Sequence, residues 1–137
     1  MHEIEPRLYI GSATDACSAD SFDFIVNVTQ DIPLYSKQPY IRVPVDDDPG
    51  YSPILFSYLP DATKAIHDYL AMNKTVLVHC FAGRSRSATV IAAYLMSYRG
   101  LSKTEAIDFI RTKKPETFFP YVNFDQALDA WATMIAP

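Results

Sequence analysis

The sequence feature that most constrains the fold is the segment from Val76 to Ser87, V-L-V-H-C-F-A-G-R-S-R-S. It starts in an apolar, β-branched run, Thr75–Val78, and passes through a short loop into a helical pattern over Ala88–Arg99. A continuous apolar run is typical of a strand that is buried on both faces, as in parallel sheets covered by helices. The segment therefore predicts a strand–loop–helix unit near the centre of the fold.

Three further β-rich runs lie before this unit in the chain. They are Leu8–Ile10, Phe24–Val28 and Tyr40–Val45. The second run is almost entirely apolar, so it predicts another strand that is buried on both faces. Strands that come first, with one helical segment among them and a series of helices after them, indicate the α/β class. We expect a single α/β domain, residues 1–137, in which helices flank a mostly parallel central sheet.

An amphipathic helical pattern lies between the third and fourth predicted strands. Its apolar face contains Leu59, Ala62, Ile66 and Leu70. Pro60 has no amide hydrogen and is tolerated only in the first turn of a helix. We therefore expect this helix to begin near Pro60.

Three more helices are predicted after the loop. The helix over residues 88–99 ends at Gly100, a residue that suits the left-handed conformation after a helix C-terminus. Ser102 and Glu105 have the spacing of a capping box, so a second helix begins there and ends before Pro115. Asn123 is the expected N-cap of a last helix. The inward face of that helix is predicted to contain Phe124, Leu128, Trp131 and Ile135.

The junction between the strand and the helix that follows it is suited to binding an anion. The first amide N–H groups of a helix have no partner within the helix, and the helix dipole places positive partial charge there. Phosphate is the natural ligand of such a junction. Cys80 lies at the carboxyl end of the strand, where open α/β sheets bind their ligands. Since a thiol at a helix N-terminus and beside an arginine ionises readily, we expect Cys80 to be a nucleophilic thiolate.

Four neighbours of Cys80 have roles that their chemistry suggests. Arg86 lies just inside the helix, from where its guanidinium group can bind two phosphoryl oxygens at once. Gly83 allows a sharp turn and a close approach of the backbone to an oxyanion. Ser87 can donate a hydrogen bond to the thiolate and stabilise it as a leaving group. His79 is expected to be structural, fixing the loop through a hydrogen bond to the backbone.

Residues 79–87, H-C-F-A-G-R-S-R-S, resemble the HCxxGxxRS signature of cysteine-based protein tyrosine phosphatases. The G-x-S-R-S ending is most similar to the dual-specificity branch. The likeness continues through R-L-Y-I-G-S-A, F-I-V-N-V-T, I-R-V-P-V-D-D, A-A-Y-L-M, F-I-R-x-x-K-P and N-F-D-Q-A-L, so that it covers nearly the whole chain. Since these residues leave no room for a separate targeting domain, the chain is expected to resemble the small, atypical members.

The resemblance implies a phosphatase that acts on phosphotyrosine and on phosphoserine or phosphothreonine in two steps. Cys80 would attack phosphorus and form a phosphocysteine intermediate, which water then hydrolyses. The expected substrate-binding residues of the loop are Phe81, Ala82, Gly83, Arg84, Ser85 and Arg86. No metal and no other cofactor is expected, because Arg86 and the backbone amides stabilise the equatorial charge.

The same chemistry needs a carboxylic acid that protonates the leaving oxygen and later takes a proton from water. Three adjacent candidates are present, Asp46, Asp47 and Asp48. Family members carry a proline, two residues and then the acid, and Pro44 in this register selects Asp47. Counting back from a helix that begins near Pro60 favours Asp48 instead, so Asp47 is the first choice and Asp48 the second. Activity should follow a bell-shaped pH profile on the acidic side of neutral.

Several residues outside the signature are expected to have ordinary roles. Cys17 lies in a polar segment and is expected to be a structural or incidental thiol; pairing with an oxidised Cys80 is the lesser alternative. Arg84 is expected to be solvated at the rim of the pocket, where it could also help to bind an acidic substrate. The residues expected in the core or its cover, rather than on a substrate platform, are Phe118, Phe119 and Tyr121.

Two other functions stay open from the sequence alone. The first is the same reaction on a non-protein phosphate ester, such as a phosphoinositide, a nucleotide or RNA end, or a phosphoglycan. The signature loop has no lysine, which makes it poorly suited to a polyphosphorylated lipid. The second is a phospho-binding module without turnover; such a module usually lacks the nucleophile, and Cys80 is present.

Charge and composition exclude several other classes of protein. Twelve Lys and Arg against sixteen Asp and Glu give a net charge of −4, so a nucleic-acid partner is not expected. Two cysteines cannot form a disulfide framework. The longest nearly apolar stretch, Ala88–Met96, is shorter than the roughly 18 residues of a membrane span, and the N-terminus has no signal-peptide pattern. We expect a cytoplasmic protein, with the nucleus as a further location, that acts on phosphorylated proteins; its oligomeric state is not predicted.

Overall fold

The chain folds around a five-stranded sheet, and the computed structural model describes all of residues 1–137. The strands are β1 (His2–Glu5), β2 (Leu8–Gly11), β3 (Phe24–Asn27), β4 (Tyr40–Arg42) and β5 (Val76–His79). The helices are α1 (Ala13–Ala16), α2 (Ser52–Ala71), α3 (Arg86–Arg99), α4 (Lys103–Lys113) and α5 (Asp125–Ile135). The strand order is β1-β2-β5-β3-β4, and every neighbouring pair except β1–β2 is parallel. The predicted α/β fold with a mostly parallel sheet is confirmed.

Strand β5 occupies the middle of the sheet, between β2 and β3. Every residue of β5 and of β3 is buried, as their continuous apolar sequences predict. Val76 and Val78 face the main core, whereas Leu77 packs with Ala19 and Ile25 in a smaller cluster. Because β5 is central, the loop that follows it emerges at the middle of the sheet's carboxyl edge, where ligands of such sheets bind.

Helix α2 begins earlier than the sequence predicts. It starts at Ser52, after a 3₁₀ turn over Pro49–Tyr51, and Pro60 lies inside it. A proline inside a helix costs about 3 kcal/mol. The extended helix completely buries Leu55 and Leu59, and burying one leucine side chain contributes about 1.5–3 kcal/mol. The expectation of a start near Pro60 was wrong because this burial offsets the cost of the proline.

The three helices after the loop match the predicted segments closely. Helix α3 ends at Gly100, which has a φ of 70° in the left-handed region. Helix α4 begins with the predicted capping box, in which Ser102 and Glu105 each bond the other's backbone N–H. Helix α5 has Phe124 rather than Asn123 at its N-cap position, and no side chain caps it. The prediction for Asn123 was wrong because its side-chain amide is bonded elsewhere, to the loop that carries the aspartates.

Two short elements are absent from the sequence-based prediction. Strand β1, H-E-I-E, buries only Ile4 and pairs along the edge of the sheet, so it has no extended apolar pattern. Helix α1 has only four residues and is capped by Ser12 and Asp15, where an aspartate replaces the usual glutamate of a capping box. None of the helices combines the length and the apolar character that crossing a membrane requires.

Candidate active site

The loop over residues 80–85 connects the end of β5 to the start of α3 and holds Cys80 at its base. The Cys80 side chain is buried, and its Sγ accepts a hydrogen bond of 3.2 Å from the backbone N–H of Gly83. The Oγ of Ser87, in the first turn of α3, lies 3.2 Å from the same sulfur. Ser87 thus lies beside the thiol as predicted, the N–H of Gly83 is a second partner, and both can stabilise a negative charge on sulfur.

Gly83 adopts a backbone conformation that other residues rarely adopt. Its φ is +70°, and a Cβ built on it would lie 2.7 Å from the carbonyl oxygen of Gly11 and 2.7 Å from the Nζ of Lys114. The left-handed conformation and the lack of space both require glycine at this position. The turn at Gly83 is what brings its own N–H over the sulfur of Cys80.

The guanidinium group of Arg86 lies at the start of α3 and is buried. One of its nitrogens, Nη1, donates a hydrogen bond of 2.9 Å to the carbonyl oxygen of Val45, just before the three aspartates. Its Nε is buried and has no hydrogen-bond partner within the protein. Arg86 therefore connects the loop to the aspartate segment and keeps donor groups that can bind an oxyanion.

Of the three aspartates, only Asp47 lines the cavity above Cys80. Its Oδ1 accepts a hydrogen bond of 2.9 Å from the side-chain amide of Asn123. The carboxylate of Asp48 is used differently, because it caps the 3₁₀ turn and accepts the N–H of Gly50 at 2.7 Å. The geometry thus favours Asp47 over Asp48 as the general acid, and the register of Pro44 favours the same choice.

The cavity above the loop has a volume of about 400 Å³. Its walls include side chains from the loop, Asp47 and the segment before α5. Phe119 and Tyr121 line it and are 73% and 75% exposed, whereas Phe118 is buried. The expectation that all three aromatic residues would be core or cover was wrong for Phe119 and Tyr121. Arg84 lies at the rim with an exposed side chain, as predicted.

His79 lies under the loop and does not line the cavity. Its ring is buried, and its Nδ1 is 3.3 Å from the carbonyl oxygen of Cys80, which can only accept a hydrogen bond. Burial lowers the pKa of His79 below the usual 6.5, and the charges of Arg42 and Arg86 act in the same direction. A neutral ring with its proton on Nδ1 fits this geometry and holds the start of the loop.

The lowered pKa of His79 predicts a pH dependence of stability. The unfolded chain protonates this histidine at pH values where the folded chain keeps it neutral, so acidification favours unfolding. As the pH falls through the acidic range below 6.5, the free energy of unfolding should fall by up to about 1.4 kcal/mol per pH unit. The measurement is urea unfolding across this range for the wild type, His79→Asn and the exposed control His2→Asn. An equal pH slope in the wild type and His79→Asn would contradict the prediction.

Two residues of the site were missed at the level of sequence. Asn123 bonds Asp47, and Lys114 donates hydrogen bonds of 2.6 Å and 3.4 Å to the carbonyl oxygens of Gly83 and Ala82. Burial lowers the pKa of Lys114, and the negative charges of Glu116 and Cys80 oppose this effect. A lysine before a proline at a helix end gives no sign that it lies inside the protein.

Two remaining sequence expectations concern the other thiol and metal binding. Cys17 is exposed and does not line the cavity; its Sγ donates to the carbonyl oxygen of Ala13 at 3.5 Å. No group of three or more His, Cys, Asp or Glu side chains is arranged to hold a metal ion.

Comparison with known proteins agrees with this geometry. Residues 8–134 match the family model of the dual specificity phosphatase catalytic domain. The chain is 38% identical over 136 residues to dual specificity protein phosphatase Mpk3 of Drosophila melanogaster, covering 92% of this chain and 32% of that protein. It is also 38% identical over 137 residues to human dual specificity protein phosphatase 9, covering 93% of this chain and 35% of that protein. The chain belongs to the dual specificity phosphatase family.

The crystal structure of human DUSP28 has the same fold. It superposes with a TM-score of 0.87 at 30% sequence identity, and the match covers 98% of this chain and 96% of that one. The resemblance to the dual-specificity branch that the sequence indicates is confirmed. The chain spans about a third of the length of the two curated relatives.

Proposed function

We propose that this domain hydrolyses phosphate monoesters on tyrosine and on serine or threonine side chains of proteins. The observation that carries the proposal is the environment of the Cys80 sulfur. It lies at the base of a cavity, within 3.2 Å of both the Gly83 N–H donor and the Ser87 hydroxyl, and Asp47 lines the same cavity. A stabilised sulfur nucleophile with an acid beside it is the arrangement that a phosphocysteine mechanism needs.

In the first step the Cys80 thiolate attacks phosphorus while the bond from phosphorus to the ester oxygen breaks. The carboxyl group of Asp47 gives its proton to the departing alkoxide or phenoxide. Arg86 and the amide N–H groups at the start of α3 stabilise the equatorial oxygens, because their positive ends face the developing charge. The products of this step are the free hydroxyl side chain, the phosphocysteine and the Asp47 carboxylate.

In the second step water attacks the phosphocysteine. The Asp47 carboxylate takes a proton from this water as the new bond to phosphorus forms and the bond from sulfur to phosphorus breaks. The hydroxyl of Ser87 donates to the departing thiolate, which lies 3.2 Å away, and so makes it a better leaving group. Inorganic phosphate leaves, and the thiolate and the protonated Asp47 are restored.

The rim of the cavity supports a protein substrate. Phe81, Phe119 and Tyr121 are all strongly exposed around the opening and offer apolar contact to a side chain or peptide. The only cationic side chains among the lining residues are Arg84 and Arg86, and Arg86 is assigned to the reacting phosphoryl group. A ligand with several phosphate groups would need more cations than Arg84 supplies.

The test is a comparison of steady-state kcat/KM values for a panel of substrates. The panel contains phosphotyrosyl and phosphothreonyl peptides, phosphoinositides, an RNA 5′-triphosphate end and a phosphorylated glycan. We expect hydrolysis of both peptides, with kcat/KM values above those of the polyphosphorylated ligands. The one ionic contact that Arg84 offers their extra phosphate groups is worth at most about 1 kcal/mol, a factor of about five. A clear preference for a non-protein substrate would overturn the proposal of a protein substrate. The proposed phosphocysteine mechanism would be unaffected by that result.

A further inference from the structure

Lys114 is a buried lysine whose hydrogen bonds go to the loop that holds Cys80. It follows the last residue of α4 and is only 6% exposed. Its Nζ donates to the carbonyl oxygen of Gly83 at 2.6 Å and to that of Ala82 at 3.4 Å. None of the ion pairs in the protein includes this lysine. A buried ammonium group without a carboxylate partner is costly, so its position calls for a reason beyond ion pairing.

The peptide geometry of the loop supplies that reason. In a trans peptide, the carbonyl of one residue and the N–H of the next point in opposite directions. Binding the Ala82 carbonyl from outside therefore directs the Gly83 N–H inward, and that N–H lies 3.2 Å from the sulfur of Cys80. Binding the Gly83 carbonyl in the same way directs the N–H of Arg84 to the side away from Lys114.

The carbonyl groups of Phe81 and Arg84, which flank Ala82 and Gly83, also accept hydrogen bonds from donors outside the loop. The carbonyl oxygen of Phe81 accepts the N–H of Ala13 at 2.9 Å, and that of Arg84 accepts the N–H of Phe118 at 2.9 Å. Phe118 has a φ of 61°, an unfavourable conformation for a bulky residue. Four successive carbonyl groups of the loop thus accept hydrogen bonds from donors outside the loop, and Lys114 is the donor to the middle two.

We propose that Lys114 is a positioning residue of the active site, which holds the Ala82 and Gly83 carbonyls outward so that the following amide N–H groups face the thiolate and the phosphoryl group. This inference rests on the proposed function. Lys114 does not touch the substrate and acts only through the loop.

The test measures how well inorganic phosphate protects Cys80 from alkylation by iodoacetate, a readout that does not require turnover. The variants are Lys114→Met and Lys114→Arg, with Lys113→Met as the matched control, because Lys113 is the exposed neighbour. We expect the phosphate concentration for half protection to rise about 10- to 100-fold in Lys114→Met, as for loss of hydrogen bonds from a charged group. Lys114→Arg should restore most of the affinity, and Lys113→Met should match the wild type.

A purely structural role for Lys114 gives a different result. It would lower the fraction of folded protein, measured by circular dichroism, but would leave the phosphate affinity of the folded molecules unchanged, which would overturn the proposal. If Lys114→Met does not fold, Lys114→Ala, which has no donor, is compared with Lys114→Arg; equal phosphate affinities in these two would overturn it as well. A wild type that binds phosphate at Cys80 without hydrolysing any ester would refute the proposed function and leave this inference standing.

Discussion

Replacing Cys80 with serine is expected to lower kcat by at least about 10⁴-fold on every phosphate ester, because removing a catalytic nucleophile has effects of this size or larger. A serine hydroxyl stays protonated in this site, since neither Ser87 nor the Gly83 N–H can act as a base for it. The amides and Arg86, which are proposed to bind the phosphoryl group, are unchanged in this variant. The variant should therefore retain phosphopeptides, and the measurement is a turnover assay combined with a pull-down of phosphorylated protein.

The matched control is Cys17→Ser, the same substitution at the exposed cysteine. Its turnover should equal that of the wild type, because Cys17 does not line the cavity. Substantial residual turnover in Cys80→Ser would refute the phosphocysteine mechanism. A wild type that retains phosphopeptides and shows no vanadate-sensitive hydrolysis would identify a phospho-binding module instead of an enzyme.

Replacing Asp47 with asparagine is expected to lower kcat on a phosphothreonyl peptide by about 10²- to 10⁴-fold, the usual contribution of general acid–base catalysis. An alkoxide is a poor leaving group and needs a proton, which we propose that Asp47 supplies. Nitrophenolate leaves readily without a proton, so the loss on p-nitrophenyl phosphate should be much smaller. The measurement is the ratio of kcat values for these two substrates in the wild type and the variant.

Asp48→Asn is the matched control, because it removes the same charge from the adjacent residue. Asparagine can still cap the 3₁₀ turn and accept the N–H of Gly50, so the fold should be retained. For this variant we expect a ratio of kcat values, phosphothreonyl peptide to p-nitrophenyl phosphate, close to that of the wild type. If Asp48→Asn rather than Asp47→Asn shows the substrate-dependent loss, the acid is Asp48, and the assignment from the cavity lining is wrong.

The parts of the site that lie close together in the sequence could be predicted from it. Cys80, Gly83, Arg86 and Ser87 belong to one strand–loop–helix segment, and the structure brings them together as the local pattern indicates. The central position of β5 also followed from its continuous apolar sequence. These predictions succeed because strand burial, helix N-termini and glycine conformations are local properties.

The remaining parts depend on contacts between distant segments. Lys114 is 31 residues from Gly83, and Asn123 is 76 residues from Asp47, so no local pattern connects them. Asn123 matches an N-cap in the sequence, yet a tertiary hydrogen bond competes for its side chain. The early start of α2 is a similar case, because the burial of Leu55 and Leu59 overrides the local preference of Pro60.

The hydrogen bond between Arg86 and the carbonyl of Val45 has a consequence for how a substrate is received. Val45 precedes Asp47, the proposed acid, by two residues, so the guanidinium group anchors the backbone of the segment that carries Asp47. Arg86, proposed to bind the phosphoryl group, and the segment of Asp47, proposed to supply the proton, are thereby joined before a substrate arrives. We therefore expect the backbone of residues 45–47 to move little when phosphate binds, since the hydrogen bond that holds it is already formed in the free protein.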